Sequence, residues 1–387
     1  MVDFALSDEQ KAFQRLAHEF AEKEIRPVAA QYDESEEFPW DVVRKAAKMG
    51  LTSFYFPEKY GGGGVEDRIT EFIVAEELAW GCAGIATCIL GTGLAAAGIM
   101  ALGTEEQKDK WIPMFCDEND VKIGAMALTE PEAGSDVQNL KTTAVKDGDE
   151  YVLNGVKCFI TNGGIADVHV IFATTDPSAG WGGLAAFIVP KGTPGLSMGK
   201  KEHKLGVRAS HTAEVILQDC RIPAENRLGG EGAIAALGAL KMLEYTRPGV
   251  GAAAVGIARA ALEYATEYAK TRVQFRKPII AHEGIGFKLA DMAVKVDAAR
   301  LMVWRAGWMG NNNIPFTRGE GSMAKLIAGD VAVEVCIDAI QVLGGYGYMR
   351  EYPVEKWLRD SKIYQIWEGT AEIQRLVISR ALGGRGF

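Results

Sequence analysis

The chain has 387 residues, 48% of them hydrophobic and 24% charged, with a net charge of −9. That length and balance suit two or three globular domains, and the acidic sum without a basic stripe excludes nucleic acid as a partner, since phosphate binding needs clustered Lys and Arg. Six cysteines without a CxxC pair read as reduced, buried, intracellular thiols, and five histidines without ligand spacing exclude a metal site.

The opening MVDFALSDEQ reaches acidic residues at once, unlike a secretory signal or an Arg-rich transit peptide. A cytoplasmic protein is expected, and a mature mitochondrial form fits the same sequence. Ser7 and Gln10 form a capping box for a helix that carries Phe13, Leu16, Ala17, Phe20 and Ile25 on one face and ends at Pro27. Helical patterns follow at 40–49 and 69–80, and again from Thr104 with Gln107, with a glycine loop at 61–64 between the first two. Residues 81–103 carry no charge and are long enough to span a bilayer. Six of them are glycine and the flanks are Glu76, Glu77, Glu105 and Glu106, so a buried helix is expected and no membrane span. The segment 1–119 therefore reads as a helical domain.

From about Val121 the pattern changes to short runs of Val, Ile, Phe and Thr. Asp147-Gly148, Asn154-Gly155 and Asn162-Gly163 punctuate them as hairpin turn signals. Strands are expected at 123–128, 140–145, 151–153, 156–161, 168–174, 185–189 and 212–217, which makes 120–228 a small antiparallel β domain. Helical periodicity returns after Gly229-Gly230, at 252–270, 287–309 and 323–343 and after Glu368, giving a third domain over 229–387. The fold class is α+β.

Two motifs read as coincidence. GVGAAAVG at 249–256 matches a dinucleotide fingerprint but follows no strand, so its small residues serve helix packing. GLSMG at 195–199 matches a hydrolase elbow around Ser197, yet Pro194 precedes it and Lys200-Lys201 follow where a strand and a helix are needed.

The segment YQIWEGTAEIQRLVISR, 364–380, is different. Glu368 follows Ile366 and Trp367, precedes Gly369, and stands before a helix start with Thr370 as N-cap and Glu372 at the positive end of the dipole. Alone, it reads as a solvated loop glutamate. If covered, desolvation raises its pKa and makes it a general base for neutral pH. Upstream, ALTEPEAGSD (127–136) places a turn of small residues after a strand, suited to phosphate or heteroaromatic hydrogen bonds. CFITNGG (158–164), TRVQF (271–275), QVLGGYGY (341–348) and IWEGTAEIQR (366–375) complete a set in fixed order.

That set resembles the acyl-CoA dehydrogenase family over essentially the whole chain. The resemblance implies a helical N-terminal domain, a central β domain and a C-terminal four-helix bundle. It also implies FAD as cofactor, acyl-CoA as substrate, an electron-transfer flavoprotein as acceptor and a homotetramer. Carried over by position, Met126, Leu128, Thr129 and Ser135 would hold the flavin ring and the CoA side of the substrate. Phe159, where Trp is more usual, and Thr161 would lie against the flavin. Arg272, Gln274 and Phe275 resemble pyrophosphate-side contacts, while Gln341, Gly344 and Gly345 resemble contacts to a neighbouring subunit's FAD. Thr370 and Glu372 would serve the adenine and phosphate sides. Glu244 and Arg247 resemble CoA-binding residues, and Trp367 and Gly369 flank the substrate.

Glu368 falls on the family's catalytic base; the alternative base position of a minority of members is Thr246 here, which cannot act as a base at neutral pH. The implied reaction is α,β-dehydrogenation to a trans-2-enoyl-CoA in fatty acid β-oxidation. Glu368 takes the α proton, its backbone amide helps bind the thioester oxygen, and the flavin takes the β hydride. Trp367, where Tyr is more usual, narrows the tunnel, and Ala86 and Gly91, small residues on the uncharged segment with Thr87 and Leu90, reopen it. Short to medium acyl groups are therefore expected, with a small ring possible. The rival readings are an acyl-CoA oxidase on the same fold, a hydrolase built on Ser197, and a non-catalytic acyl-CoA-binding relative.

Overall fold

Ser7 opens the first helix, α1 (Asp8–Phe20), with the expected capping box: its hydroxyl accepts from the Gln10 amide and the Gln10 side chain accepts from the Ser7 amide. The structure is a computed structural model that describes residues 4–230 and 234–384; the outer limits Met1 and Phe387 lie outside the described residues. Pro27 does not end the helical run. A π turn (Ala21–Ile25) and a 3-10 turn (Arg26–Val28) carry the chain into α2 (Ala29–Ser35). The change of winding sets Pro27 in the first turn of a new segment, where its missing N–H leaves no bond unmade.

The helices α3 (Trp40–Lys48) and α4 (Arg68–Gly81) follow, and the uncharged segment forms α5 (Ala83–Leu90) and α6 (Thr92–Leu102), joined at Gly91. Ala83–Leu102 is long and apolar enough to cross a membrane, yet 56% of its apolar window is buried inside the protein. Val168, Val170 and Phe172 of the sheet share a buried cluster with Ala95, Ala96 and Ile99 of α6. Thr104 and Gln107 cap α7 (Glu105–Trp111) as expected. All six cysteines are free thiols, but Cys116 is only half-buried, unlike the other five.

The sheet comprises β1 (Gly124–Ala127), β2 (Thr143–Asp147), β3 (Glu150–Thr161), β4 (Val168–Thr174), β5 (Leu184–Pro190), β6 (Leu196–Lys201), β7 (Thr212–Pro223) and β8 (Arg227–Leu228). Its order is β6-β7-β3-β2-β4-β5-β8, with β1 beside β4. It is mixed rather than antiparallel, because β1 runs parallel to β4 and β2 meets β4 in parallel at Thr143 and Thr174. Two strands lie between β1 and β4 in the chain, and only a tight turn obliges neighbours to run antiparallel.

Asp147-Gly148 makes the expected hairpin, with Asp147 opposite Glu150. Asn154-Gly155 does not: it lies inside β3, opposite an extra residue in β7, where Asn154 exchanges hydrogen bonds with Asp219. Thr142 approaches Gly155 so closely that a Cβ there would stand 2.4 Å from its hydroxyl. Asn162-Gly163 closes β3 but leads into β4, which is not its neighbour. Strands β6 and β8 were not expected from the pattern.

Helix α8 (Ile234–Thr271) begins well before the expected residue 252 and contains Pro248. The proline removes the helical donor to the Glu244 carbonyl. Gly321 crosses at that carbonyl, where a Cβ would sit 2.2 Å from the oxygen. After the short strands β9 (Val273–Gln274) and β10 (Lys277–Pro278) come α9 (Glu283–Asn311), α10 (Glu320–Leu343), α11 (Val354–Ser361) and α12 (Ala371–Leu382). Helix α10 is the hub on which α8, α9, α11 and α12 pack. Gly256 confirms the packing reading of its motif, since a Cβ there would meet the Glu76 carbonyl at 2.2 Å. Ser197 sits exposed on β6 opposite Ile216, with no helix following.

Candidate active site

The loop between the 3-10 turn Lys362–Gln365 and α12 carries two consecutive residues in the left-handed region, Glu368 at φ 50 and Gly369 at φ 91. For a glutamate this conformation costs about 1–2 kcal/mol, so the surroundings must impose it. Three helices do. From α12, the buried Gln374 amide donates to the Gly369 carbonyl at 2.7 Å and to the Glu368 carbonyl at 3.3 Å. From α10, the Lys325 ammonium donates to the Gly369 carbonyl at 2.7 Å. From α8, Arg247 Nε reaches the Glu368 carbonyl at 3.4 Å. A Cβ at position 369 would meet the Gln374 amide nitrogen at 2.7 Å, so the turn needs glycine there for space as well as for φ.

With its backbone held from behind, the Glu368 side chain accepts a hydrogen bond from the Thr246 hydroxyl at 3.1 Å. Burial pushes its carboxyl above the usual carboxylate range, opposed by that hydrogen bond and by the charges of Arg247 and Lys325. Neither cation's hydrogen bonds go to the carboxylate. Arg247 bonds Glu244 and, at 2.9 Å, Ser322, and Glu244 also accepts from the Ser322 hydroxyl at 3.1 Å. Glu244 and Arg247 are only 8% and 6% exposed and face each other beneath the loop. Trp367 stands edge-on to Tyr364 with ring centroids 4.9 Å apart, and its indole N–H is buried without a partner. Thr370 caps α12 by accepting from the Ile373 amide, and Glu372 is exposed in the first helical turn.

A second group lies on the β domain. Met126 is half-buried on β1, and the segment after it is stitched to β3: the Cys158 amide donates to the Thr129 carbonyl at 3.0 Å. Lys157, fully buried, donates to the Leu128 carbonyl at 3.0 Å and pairs with Glu130 at 2.7 Å. Just beyond, the β3–β7 register slips by one residue, and Phe159 occupies the bulge at φ 59 with 65% of its surface exposed. Bulges re-aim side chains, and this one turns an aromatic ring away from the sheet core. Thr161 is half-buried beside the α5–α6 junction, 3.4 Å from where a Cβ on Gly91 would stand. Ser135 is exposed on the turn after Thr129.

The third group gathers around the β9–β10 hairpin. Arg272, Gln274 and Phe275 line a cavity of about 800 Å³ together with Gly344 and Gly345, which follow α10. The Arg272 guanidinium lies over the Tyr346 ring, 5.5 Å from its centroid. Nothing stands within 4 Å of a Cβ added at Gly344 or Gly345, so backbone there is open to approach. Phe275, at φ 50, is 88% exposed. Gln341 is exposed on the last turn of α10. A guanidinium, open glycines and an exposed aromatic ring suit an anionic, heteroaromatic group such as FAD, as do the outward ring of Phe159 and the orphan indole donor of Trp367.

Lys325, Gln374, Ser322 and the Lys157–Glu130 pair were not singled out from the sequence. The lone lysine within MAKLIAGDVA, where Asp330 is the only other charged residue, was a legible signal; the glutamine in IQRLV was not.

The chain matches the N-terminal, middle and C-terminal domains of acyl-CoA dehydrogenase over residues 7–119, 125–220 and 236–383. It is 46% identical over 380 residues to an acyl-CoA dehydrogenase of Bacillus subtilis, covering 98% of this chain and 99% of that one. The structure of butyryl-CoA dehydrogenase from Megasphaera elsdenii superposes with a TM-score of 0.94 at 44% identity, covering 98% of this chain and 100% of the other. A chain in a structure of the electron transferring flavoprotein of Acidaminococcus fermentans also gives a TM-score of 0.94, at 42% identity, covering 98% of this chain and 99% of that one. With all three domains matched in order and close likeness along nearly its whole length, the chain belongs to the acyl-CoA dehydrogenase family of enzymes.

Proposed function

We propose that the protein dehydrogenates short to medium acyl-CoA thioesters to trans-2-enoyl-CoA, with Glu368 as the base that removes the α proton. The observation that carries this is the Glu368 carboxylate itself: half-buried, raised in pKa by desolvation, and fixed at positive φ by contacts from three helices. A solvated loop glutamate would need none of these. Burial makes it a stronger base than an ordinary carboxylate, and the clamp holds it in one place as the proton moves. Its backbone amide would bind the thioester oxygen as charge develops there.

Phe159, Thr161, Met126, Leu128 and Thr129 would hold the flavin ring, with Ser135 toward the substrate. Arg272, Gln274, Phe275, Gln341, Gly344, Gly345, Thr370 and Glu372 would hold the rest of FAD, and Glu244 and Arg247 the CoA side. FAD, when bound, supplies the hydride acceptor for the β carbon. The open cavity at Phe275 supports completion of that end of the cofactor site by a second subunit. Helix α9 supports a homotetramer, because Phe287, Val294, Leu301 and Trp308 are exposed at seven-residue spacing and form one apolar seam. The likeness to a chain in an electron transferring flavoprotein structure supports such a flavoprotein as acceptor. Free thiols throughout support a cytoplasmic enzyme, acting in fatty acid β-oxidation. The domains would divide at 1–119, 120–228 and 229–387.

Butyryl-CoA, the substrate in the name of the Megasphaera relative, is the first to try. Anaerobic mixing of the FAD-loaded protein with acyl-CoAs from C4 to C16 should bleach the flavin fastest between C4 and C8. Absence of bleaching with every acyl-CoA sinks the activity. Fastest bleaching by palmitoyl-CoA, with C4 to C8 inert, sinks the chain length alone. Rapid peroxide formation under air would make it an oxidase.

A further inference from the structure

Lys325 is 1% exposed on α10, and burial brings its pKa down to about 8. Its ammonium touches the Gly369 carbonyl, but Gln374 already donates to that oxygen at the same 2.7 Å, and the Glu368 carbonyl has Gln374 and Arg247. Satisfying a carbonyl therefore does not require the lysine. What it adds is charge, and a buried ammonium is a costly way to add anything else.

Of the other charged groups around the loop, Arg247 acts on the Glu368 carboxyl ahead of Lys325, and the rest are compensated or remote. On α8, Arg247 is paired with Glu244. On α10, Asp330 is bound to Arg375 at 2.9 Å and accepts from Gln365. On α12, Glu372 is exposed in the first turn. The opposite charge acting most strongly on Lys325 is Glu368. We propose that Lys325 is a positioning residue for proton abstraction: anchored on the Gly369 carbonyl, it keeps a positive charge behind the Glu368 carboxylate. Burial alone favours the protonated carboxyl, and the lysine's charge opposes this without donating to the carboxylate, so both oxygens stay free of its hydrogens. The inference rests on Glu368 being the base.

The test is the pH profile of anaerobic flavin reduction by butyryl-CoA in the FAD-loaded protein. Three variants separate donor from charge: Lys325→Met removes both, Lys325→Gln keeps a donor, and Lys325→Arg keeps both. The Met and Gln variants should hold FAD and keep KM within about threefold, while the limiting rate at pH 7 falls about 10–100-fold. The rise of rate with pH should move upward, so that the deficit shrinks as the pH is raised. The Arg variant should recover the wild-type profile. An unshifted profile in the Gln variant overturns the proposal, whatever happens to Tm. So does failure of both neutral variants to load FAD, which marks a folding role. Glu368→Gln is the control: if it reduces flavin at a near-normal rate, the base lies elsewhere, whereas a dead Glu368→Gln beside unshifted Lys325 variants removes this inference alone.

Discussion

At Glu368–Gly369 two consecutive residues have positive φ, and at Phe275–Arg276 two more do. Around the first pair every backbone carbonyl is held by a side chain from another helix, and the carboxylate accepts from Thr246. Around the second pair the ring of Phe275 stands 88% exposed at the rim of a large cavity. Both segments carry family motifs, yet the first is finished and the second is left open to the cavity. Strain persists where the surroundings over-determine it, and at the hairpin they come from close along the chain, where the His282 ring stands edge-on to Phe275 and its Nε2 bonds the Gln274 carbonyl. The Glu368 loop is thus held by several helices of one chain, whereas the Phe275 hairpin stands open at the rim of a cavity.

The sharpest way to probe the finished half is Glu368→Gln, which preserves shape and removes the base. Flavin reduction should fall by about 10²–10⁴-fold or more while FAD and acyl-CoA still bind. The same variant should be more stable than wild type at pH 8. A carboxyl whose folded pKa is raised binds protons better folded than unfolded, so its contribution is present at low pH and lost as pH rises through the folded pKa. The Tm gap should close toward pH 4.5, and an equal gap at both pH values would mean that Glu368 is not raised.

The unfinished half is broken by Arg272→Ala, which should weaken FAD retention by about 10–100-fold, the loss of a hydrogen bond to a charged group. Equilibrium dialysis of FAD measures it, and tight retention would take Arg272 out of the site. Phe275→Asp should shift the assembly to smaller species in light scattering without altering the pH profile of reduction; an unchanged mass would leave that ring without an interface.

A smaller loss of rate than from Glu368→Gln is expected from Thr246→Val. Losing the hydroxyl removes a hydrogen bond that lowers the Glu368 pKa, so the rise of reduction rate should move to higher pH, with a few-fold loss at pH 7 on the scale of one net hydrogen bond, about 0.5–1.5 kcal/mol. An unmoved profile would show the contact to be incidental.

Much of this was legible in the sequence because it depends on neighbours along the chain. The capping boxes at Ser7 and Thr104, the helical–β–helical order, the turn at Asp147-Gly148 and the N-cap before α12 are each decided within a few residues. Glu368 stood out locally only as a carboxylate on a short apolar connector, and the ordered set of motifs elsewhere in the chain gave it its expected role. Local signals misled where a distant element intervened: Asn154-Gly155 has the chemistry of a hairpin turn but lies opposite a bulge in β7, and Pro27 has the chemistry of a stop but is absorbed by a π turn.

The fold class was set by the sequence alone, through periodicity, capping and motif order, and the family resemblance pointed to Glu368 as the proposed base. The state of that base was decided only in three dimensions. Thr246 lies 122 positions from Glu368 and Lys325 lies 44 from Gly369. A pKa depends on which groups surround a carboxylate and how much water they exclude, and those quantities exist only once α8, α10 and α12 have packed together.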